Sequence, residues 1–237
     1  MGLADLHVHT IYSFDGTASV PAVLQRARQV GLDVIAITDH DVVEGARLAL
    51  DLAPVYGIEV IPGIEISTAD GDLLALSVWE RIAPGRSLIE TVLAVRERGG
   101  VCIVPHPQAR GLGMRSVAVP TLVKALLHPG VADTLVGVEA YNATALDRMG
   151  IATARLLTSG LNLASVGNSD AHVTAAIGLG ATEFPGHTAA DLLAALRARQ
   201  TVAHRREEWS VFQILGSWLF GYLGSLSARL GMAIGLG

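Results

Sequence analysis

The chain has 237 residues, of which 51% are hydrophobic and 16% charged. That composition excludes intrinsic disorder and supplies a large buried core. Seventeen basic against twenty-two acidic residues leave a net charge of −5, which argues against a broad grip on a nucleic-acid duplex but leaves open a small phosphorylated substrate or a strand end held at a local basic cluster. Cys102 is the single cysteine, and the first residues, Met1 to Asp5, carry no signal-like run. Both point to a reducing, cytoplasmic setting.

Short β-type runs alternate with helical patterns. Strand Leu3–Val8 precedes helix Val20–Val30, stopped by Gly31, and strand Asp33–Thr38 precedes helix Glu44–Val55, stopped near Gly57. Strands Glu59–Ile66 and Leu73–Val78 follow. Helix Ser87–Arg98 comes next, with Ser87 and Glu90 at capping-box spacing and Gly99-Gly100 closing it. Strand Val101–Pro105, helix Val119–Leu127, strand Val136–Tyr141, helix Thr144–Ser159, strand Leu163–Gly167 and helix Ala189–Arg199 complete the series. This alternation implies an α/β domain over residues 1–203 with a parallel sheet, open or closed, and seven strands suit a barrel.

Residues 204–237 form a different segment. Trp209 to Ala228 carry no formal charge, and twenty helical residues at about 1.5 Å each span roughly the thickness of a bilayer core. Gln213, Ser217, Gly221 and Ser225 recur every four residues as a small, polar stripe, opposite Val211, Leu215, Trp218, Leu219, Tyr222, Leu223 and Leu226. Three expectations stand side by side: a helix that spans a membrane, one that lies on its surface, and one that packs on protein.

Of eight histidines, His7, His9, His40, His106 and His172 fall at or just after the ends of predicted strands, with Asp15, Glu65 and Asp170 close by. Singly these fragments read as ordinary structure; Asp39, for example, suits a helix cap. In a strand–helix barrel, however, the C-terminal strand ends converge on one mouth. Five imidazoles and three carboxylates gathered there are too costly for a core without partners, and divalent cations resolve the cost. Nitrogen and oxygen donors suit zinc, manganese or iron, and the number of donors exceeds what one tetrahedral ion takes.

Asp5-Leu6-His7-Val8-His9-Thr10, Ser13 with Asp15-Gly16, Ile37-Thr38-Asp39-His40, Pro105-His106-Pro107 and Asn168-Ser169-Asp170-Ala171-His172 resemble the ordered motifs of the polymerase and histidinol phosphatase (PHP) superfamily. The resemblance runs from residue 5 to about 203. It implies a distorted seven-stranded (β/α)7 barrel holding two or three divalent ions. It also implies His7, His9, Asp15, His40, Glu65, His106, Asp170 and His172 as metal ligands, Glu65 bridging two ions. Members with three metals add a histidine near the fourth strand. Here Leu76-Ser77-Val78-Trp79-Glu80 occupies the place, so that either Asp72 or Glu80 substitutes or the third metal is weak or absent.

The resemblance further implies hydrolysis of phosphoric esters, with paired cations generating hydroxide from a shared water. Asp39, His40 and His172 are the expected catalytic groups. Arg110 and Arg115, in the loop after His106, are expected to clamp phosphate, and Asn142, at the end of the sixth strand, to line the substrate pocket. Nucleotides or the 5′ ends of oligonucleotides are the expected substrates. The alternatives are a histidinol-phosphate-type phosphatase and a catalytically silent, metal-stabilised module tethered by its tail. An amidohydrolase with a carbamylated strand lysine fits poorly, because the one lysine, Lys124, falls in a predicted helix.

Overall fold

The computed structural model describes residues 1–108, 114–144, 153, 156–157, 159–207 and 209–233. Every predicted strand forms: β1 (Gly2–Asp5), β2 (Val34–Ile37), β3 (Glu59–Thr68), β4 (Gly71–Leu76), β5 (Val101–Val104), β6 (Leu135–Asn142) and β7 (Ala164–Asn168). Two more, β8 (Gly180–Phe184) and β9 (Val202–Arg205), make a nine-stranded sheet in the order β7-β6-β5-β4-β3-β2-β1-β8-β9. The expected count of seven is therefore corrected to nine. The added strands pair antiparallel, β8 on β1 and β9 on β8; β8 follows β7 with no α-helix between them, and β9 is a short, partly exposed run, so both escape a reading built on strand–helix alternation. β4 is likewise antiparallel to β3 and β5. Beyond the strands, Val8 pairs with Ala171, and the Gly167 amide donates to Thr182 Oγ1, so the two ends of the sheet meet in a nearly closed barrel.

The helices are α1 (Val20–Gln29), α2 (Glu44–Tyr56), α3 (Leu88–Glu97), α4 (Val119–Leu126), α5 (Ala189–Ala198) and α6 (Val211–Ala233). The predicted helix Thr144–Ser159 falls largely outside the described residues. Capping boxes at Ser87/Glu90 and Thr188/Asp191 start α3 and α5. Gly57, in the left-handed region at φ 61°, ends α2. Alternation along the strands divides the core. Ile35, Ile37 and Val60 pack on α1 and α2, while Ala75, Cys102, Val104 and Leu135 pack on α3 and α4. Ala4, Val34, Ala36, Leu74, Ile103 and Val166 fill the interior, where Leu192 and Leu196 of α5 join them. The Ala189 amide meets the carboxylate of Glu59, at the start of β3, which places α5 at the end opposite the C-terminal strand ends. The end formed by the C-terminal strand ends is the mouth.

Helix α6 lies against the mouth. Gly221 packs so closely that a Cβ there would come within 2.7 Å of Thr17 Oγ1, and Ser225 is buried. The Trp218 indole N–H donates to the carbonyl of Asp15 at 2.9 Å. No helix among the described residues is long and apolar enough to cross a membrane, so the spanning expectation is corrected. Its glycines, serines and Gln213 dilute the apolar run, and one face is committed to the domain. Phe212, Leu219, Phe220, Leu223 and Leu230 face outward and are exposed.

Candidate metal centre

Strand ends deliver the candidate ligating side chains. His7 and His9 follow β1, His40 follows β2, Glu65 lies in β3, His106 follows β5, and Asp170 and His172 follow β7. The isolated pairing of His40 with Glu65 and the His9 amide bond to Ala171 O at 2.9 Å carry the strand directions onward, so these side chains reach one cup.

Glu65 sits at the centre. Its Oε2 lies 2.9 Å from His7 Nε2, 3.2 Å from His9 Nε2 and 3.5 Å from His40 Nδ1, and its Oε1 lies 3.1 Å from His106 Nε2. Asp170 Oδ1 stands 3.3 Å from the Nε2 atoms of both His7 and His9. At the outer edge, Asp15 Oδ2 lies 3.1 Å from His172 Nε2 and 3.4 Å from His40 Nε2. The donors fall into three groups with ligand atoms within 4.8 Å of one another: His9, Asp15, His40 and His172; His7, Glu65 and His106; and His7, His9 and Asp170. All eight predicted ligands are in these groups.

Burial disfavours every charge in the cup, and for the five histidines and for Asp15, Glu65 and Asp170 the mutual contacts overcome it. His7 is pushed down by burial but held well above its ordinary pKa by Asp170, Glu65 and Glu139. For Glu65, burial pushes upward, yet His7 and His40 hold the carboxyl well below the usual range. Asp15 and Asp170 are lowered for the same reason, by His172 with His40 and by His7 with His9. Both ring nitrogens of His9, Nδ1 of His40 and Nδ1 of His106 are buried without a hydrogen-bond partner among the described residues. Orphaned imidazole nitrogens beside ionised carboxylates are a donor set for divalent cations such as zinc, manganese or iron.

One further buried carboxylate proves central. Glu139, buried in β6, contacts His7 Nδ1 at 2.8 Å and accepts the His106 amide at 2.6 Å, Asn142 Nδ2 at 3.0 Å and Asn168 Nδ2 at 2.8 Å. The signal was a glutamate at an inward position of an apolar strand. Asn142, expected at the substrate, instead donates to Glu139 and, at 3.2 Å, to Asp170, and does not line the cavity. Asp39 is buried and accepts both the amide and the hydroxyl of Thr10, so it braces the first motif and does not reach the cavity. Arg115 is also displaced: its guanidinium donates to Thr68 O at 2.7 Å and sits 3.8 Å from Asp72 Oδ1, outside the cavity lining. Arg110 lies outside the described residues. Of the two expected stand-ins for the fourth-strand histidine, Asp72 is buried and lines the cavity, its pKa raised to about 6 chiefly by burial and then by Glu65. Glu80 is exposed.

The cavity over this floor measures about 450 Å³. Asp15, His40, Glu65, His106, Asp170 and His172 form its polar base, and Phe14, Trp209, Leu215 and Trp218 stand in its apolar wall. Phe14 stacks on His40 with ring centres 4.9 Å apart.

The PHP domain model matches residues 5–149, and the PHP-associated model matches residues 152–201. The chain belongs to the PHP domain family. A phosphoribosyl 1,2-cyclic phosphate 1,2-diphosphodiesterase of Eggerthella lenta is 40% identical over 68 residues, covering 29% of this chain and 26% of that protein. A 5′-3′ exoribonuclease of Haemophilus influenzae is 44% identical over 64 residues, covering 27% of this chain and 23% of that protein. The aligned stretch is thus about a quarter of either relative. A solved two-domain protein of Bacteroides vulgatus, described as containing a PHP-like metal-dependent phosphoesterase, superposes with a TM-score of 0.70 at 20% identity, over 92% of this chain and 69% of that one. At that identity the likeness is one of fold, and it agrees with the nearly closed barrel.

Proposed function

We propose that this PHP domain hydrolyses phosphoric esters, and that its substrates are nucleotides or the 5′-terminal phosphates of oligonucleotides. The carrying observation is the two-sided cavity: a floor of imidazoles and carboxylates beneath a wall of Phe14, Trp209 and Trp218. The floor suits a phosphoryl group and the aromatic wall suits a base, in a volume within the usual range for small-molecule sites. The Eggerthella lenta and Haemophilus influenzae relatives are both named for cleaving phosphoesters of ribose compounds, which supports the same class here.

The three donor groups would hold divalent cations, which when bound would supply Lewis acidity at a phosphoryl oxygen and a lowered pKa of water. Glu65 belongs to one group, and its carboxylate lies within 3.5 Å of four imidazoles that include members of the other two. His40 and His172 retain 14% and 23% of their side-chain surface, against 0% for His7 and His9, so these two imidazoles meet substrate at the mouth. Phe14, Trp209 and Trp218 make that side of the cavity apolar.

Metal-stripped protein reloaded with manganese, zinc or iron tests the reading through phosphate release from nucleotides, a nucleoside bisphosphate, 5′-phosphorylated oligonucleotides and histidinol phosphate. Metal-dependent release from the nucleotide substrates, lost on replacing His7 and His9 with Ala, is expected. Folded, loaded protein that releases nothing overturns it, and preference for histidinol phosphate overturns the substrate class.

A further inference from the structure

We infer that Trp218 and Arg229 of α6 are positioning residues for Asp15, so that the C-terminal helix sets the metal affinity of the outer donor group. The inference rests on the metal-holding reading above. Asp15 sits in the turn Ser13–Gly16, where Ser13 Oγ donates to Asp15 Oδ1 at 2.7 Å and Gly16 is pressed against Thr10 so closely that a Cβ would lie 2.1 Å from Thr10 O. The carbonyls of this turn point toward α6. Trp218 Nε1 donates to Asp15 O at 2.9 Å; Arg229 donates to Ser13 O at 3.1 Å and also to Gly16 O. Three carbonyls within four residues therefore take their donors from one helix.

Those donors are themselves braced. Trp218 stacks on Tyr222 with centroids 5.1 Å apart, and the Arg229 guanidinium stands 5.3 Å over the Tyr222 ring while its Nε approaches Ser225 Oγ at 3.3 Å. Positions 218, 222, 225 and 229 share one face of a helix of 3.6 residues per turn. This packed seam ends on the one turn that carries a ligand of the group His9, Asp15, His40 and His172. The donors of the other two groups come from strand ends on the barrel and receive no such bond from Trp218 or Arg229. Loss of either residue frees the turn and lets Asp15 swing from His40 and His172, a disturbance of the kind that weakens metal binding about 10- to 100-fold.

Manganese titration of the full chain, followed by the paramagnetic resonance signal of the free ion, separates the classes of site. Trp218→Phe, which keeps the ring and removes the N–H, and Arg229→Ala are expected to weaken one class about 10- to 100-fold and leave the rest at parental affinity. Arg229→Lys, which restores a donor, recovers part of the loss. Leu219→Ala, on the exposed face, titrates as the parent. Parental titration of both Trp218→Phe and Arg229→Ala overturns the inference. Equal weakening of all classes, tracking a lowered melting temperature, overturns it too, by showing α6 to be only a fold support. A parent chain that binds no manganese overturns the metal-holding reading itself, an outcome distinct from both.

Discussion

Glu139 Oε1 lies 2.8 Å from Nδ1 of His7, so the opposite nitrogen of that ring, Nε2, faces Glu65 and Asp170. A carboxylate on one imidazole nitrogen fixes the tautomer and leaves the other lone pair for a cation. His7 belongs to two of the three donor groups, which makes its orientation decisive.

Glu139→Gln keeps the size of the side chain but removes the charge that holds His7. It also weakens the acceptor for the His106 amide and the amide groups of Asn142 and Asn168. Manganese affinity is expected to fall about 10- to 100-fold with the barrel still folded, as isothermal calorimetry with circular dichroism would show. Parental affinity would return Glu139 to a purely structural role.

Metal binding is expected to strengthen with pH beyond the ordinary imidazole range. Burial pushes His7, His9, His40, His106 and His172 down, yet neighbouring carboxylates hold each above 6.5 in the metal-free protein. Protons on these rings compete with the cation, so loading releases them and each unit of pH gained favours the loaded form until the raised pKa values are passed. The apparent manganese dissociation constant should therefore keep falling above pH 6.5. A plateau already at pH 6.5 would contradict the raised pKa values.

The cluster of candidate donors was legible because most of it rides on strand ends: once His7, His40, His106 and His172 each follow an apolar β run, the barrel brings them to one mouth. What orients those ligands was not. Glu139 finds His7 across the barrel, while Asn142 and Asp39 find partners beyond a neighbouring strand, Asn142 at Asp170 and Asp39 at Thr10, and no spacing along the chain encodes that. β8 was missed because no α-helix separates it from β7, and β9 because its four residues, VAHR, are too short and too exposed to read as an apolar β run. On α6 the small stripe was visible but its limits were not. Trp218 and Tyr222, placed on the opposite face by hydropathy, join Gly221 and Ser225 against the mouth because Trp218 has an N–H to give and Asp15 a carbonyl to receive it.

Arg115→Ala is expected to leave the Michaelis constant for a phosphorylated substrate unchanged. The guanidinium is engaged with Thr68 O and lies beside Asp72, with half of its side chain exposed. A partly solvated pair of this kind contributes at most about 1 kcal/mol, so a small drop in urea midpoint is the expected effect. A raised Michaelis constant with unchanged stability would place Arg115 on the substrate.

Removing residues 209–237 tests the tail as part of the domain. An anchor outside the fold is dispensable to it, and its loss leaves a soluble, metal-loaded barrel. The structure predicts otherwise. Truncation strips Trp209, Leu215 and Trp218 from the cavity wall and uncovers Thr17 and Val173 where Gly221 packs. It also leaves the carbonyls of Ser13, Asp15 and Gly16 without the donors that α6 supplies. Lost donors at partly buried carbonyls cost on the order of 1 kcal/mol each, before the uncovered apolar surface is counted. The truncated chain is therefore expected to melt several degrees lower and to hold less manganese per chain than the parent. Cys102 reports on the barrel itself: burial raises its thiol pKa and shields it, so alkylation at neutral pH tracks opening of the fold. Faster alkylation of Cys102 in the truncated chain, together with reduced manganese content, is the expected result. Parental melting, labelling and metal content would make α6 an appendage.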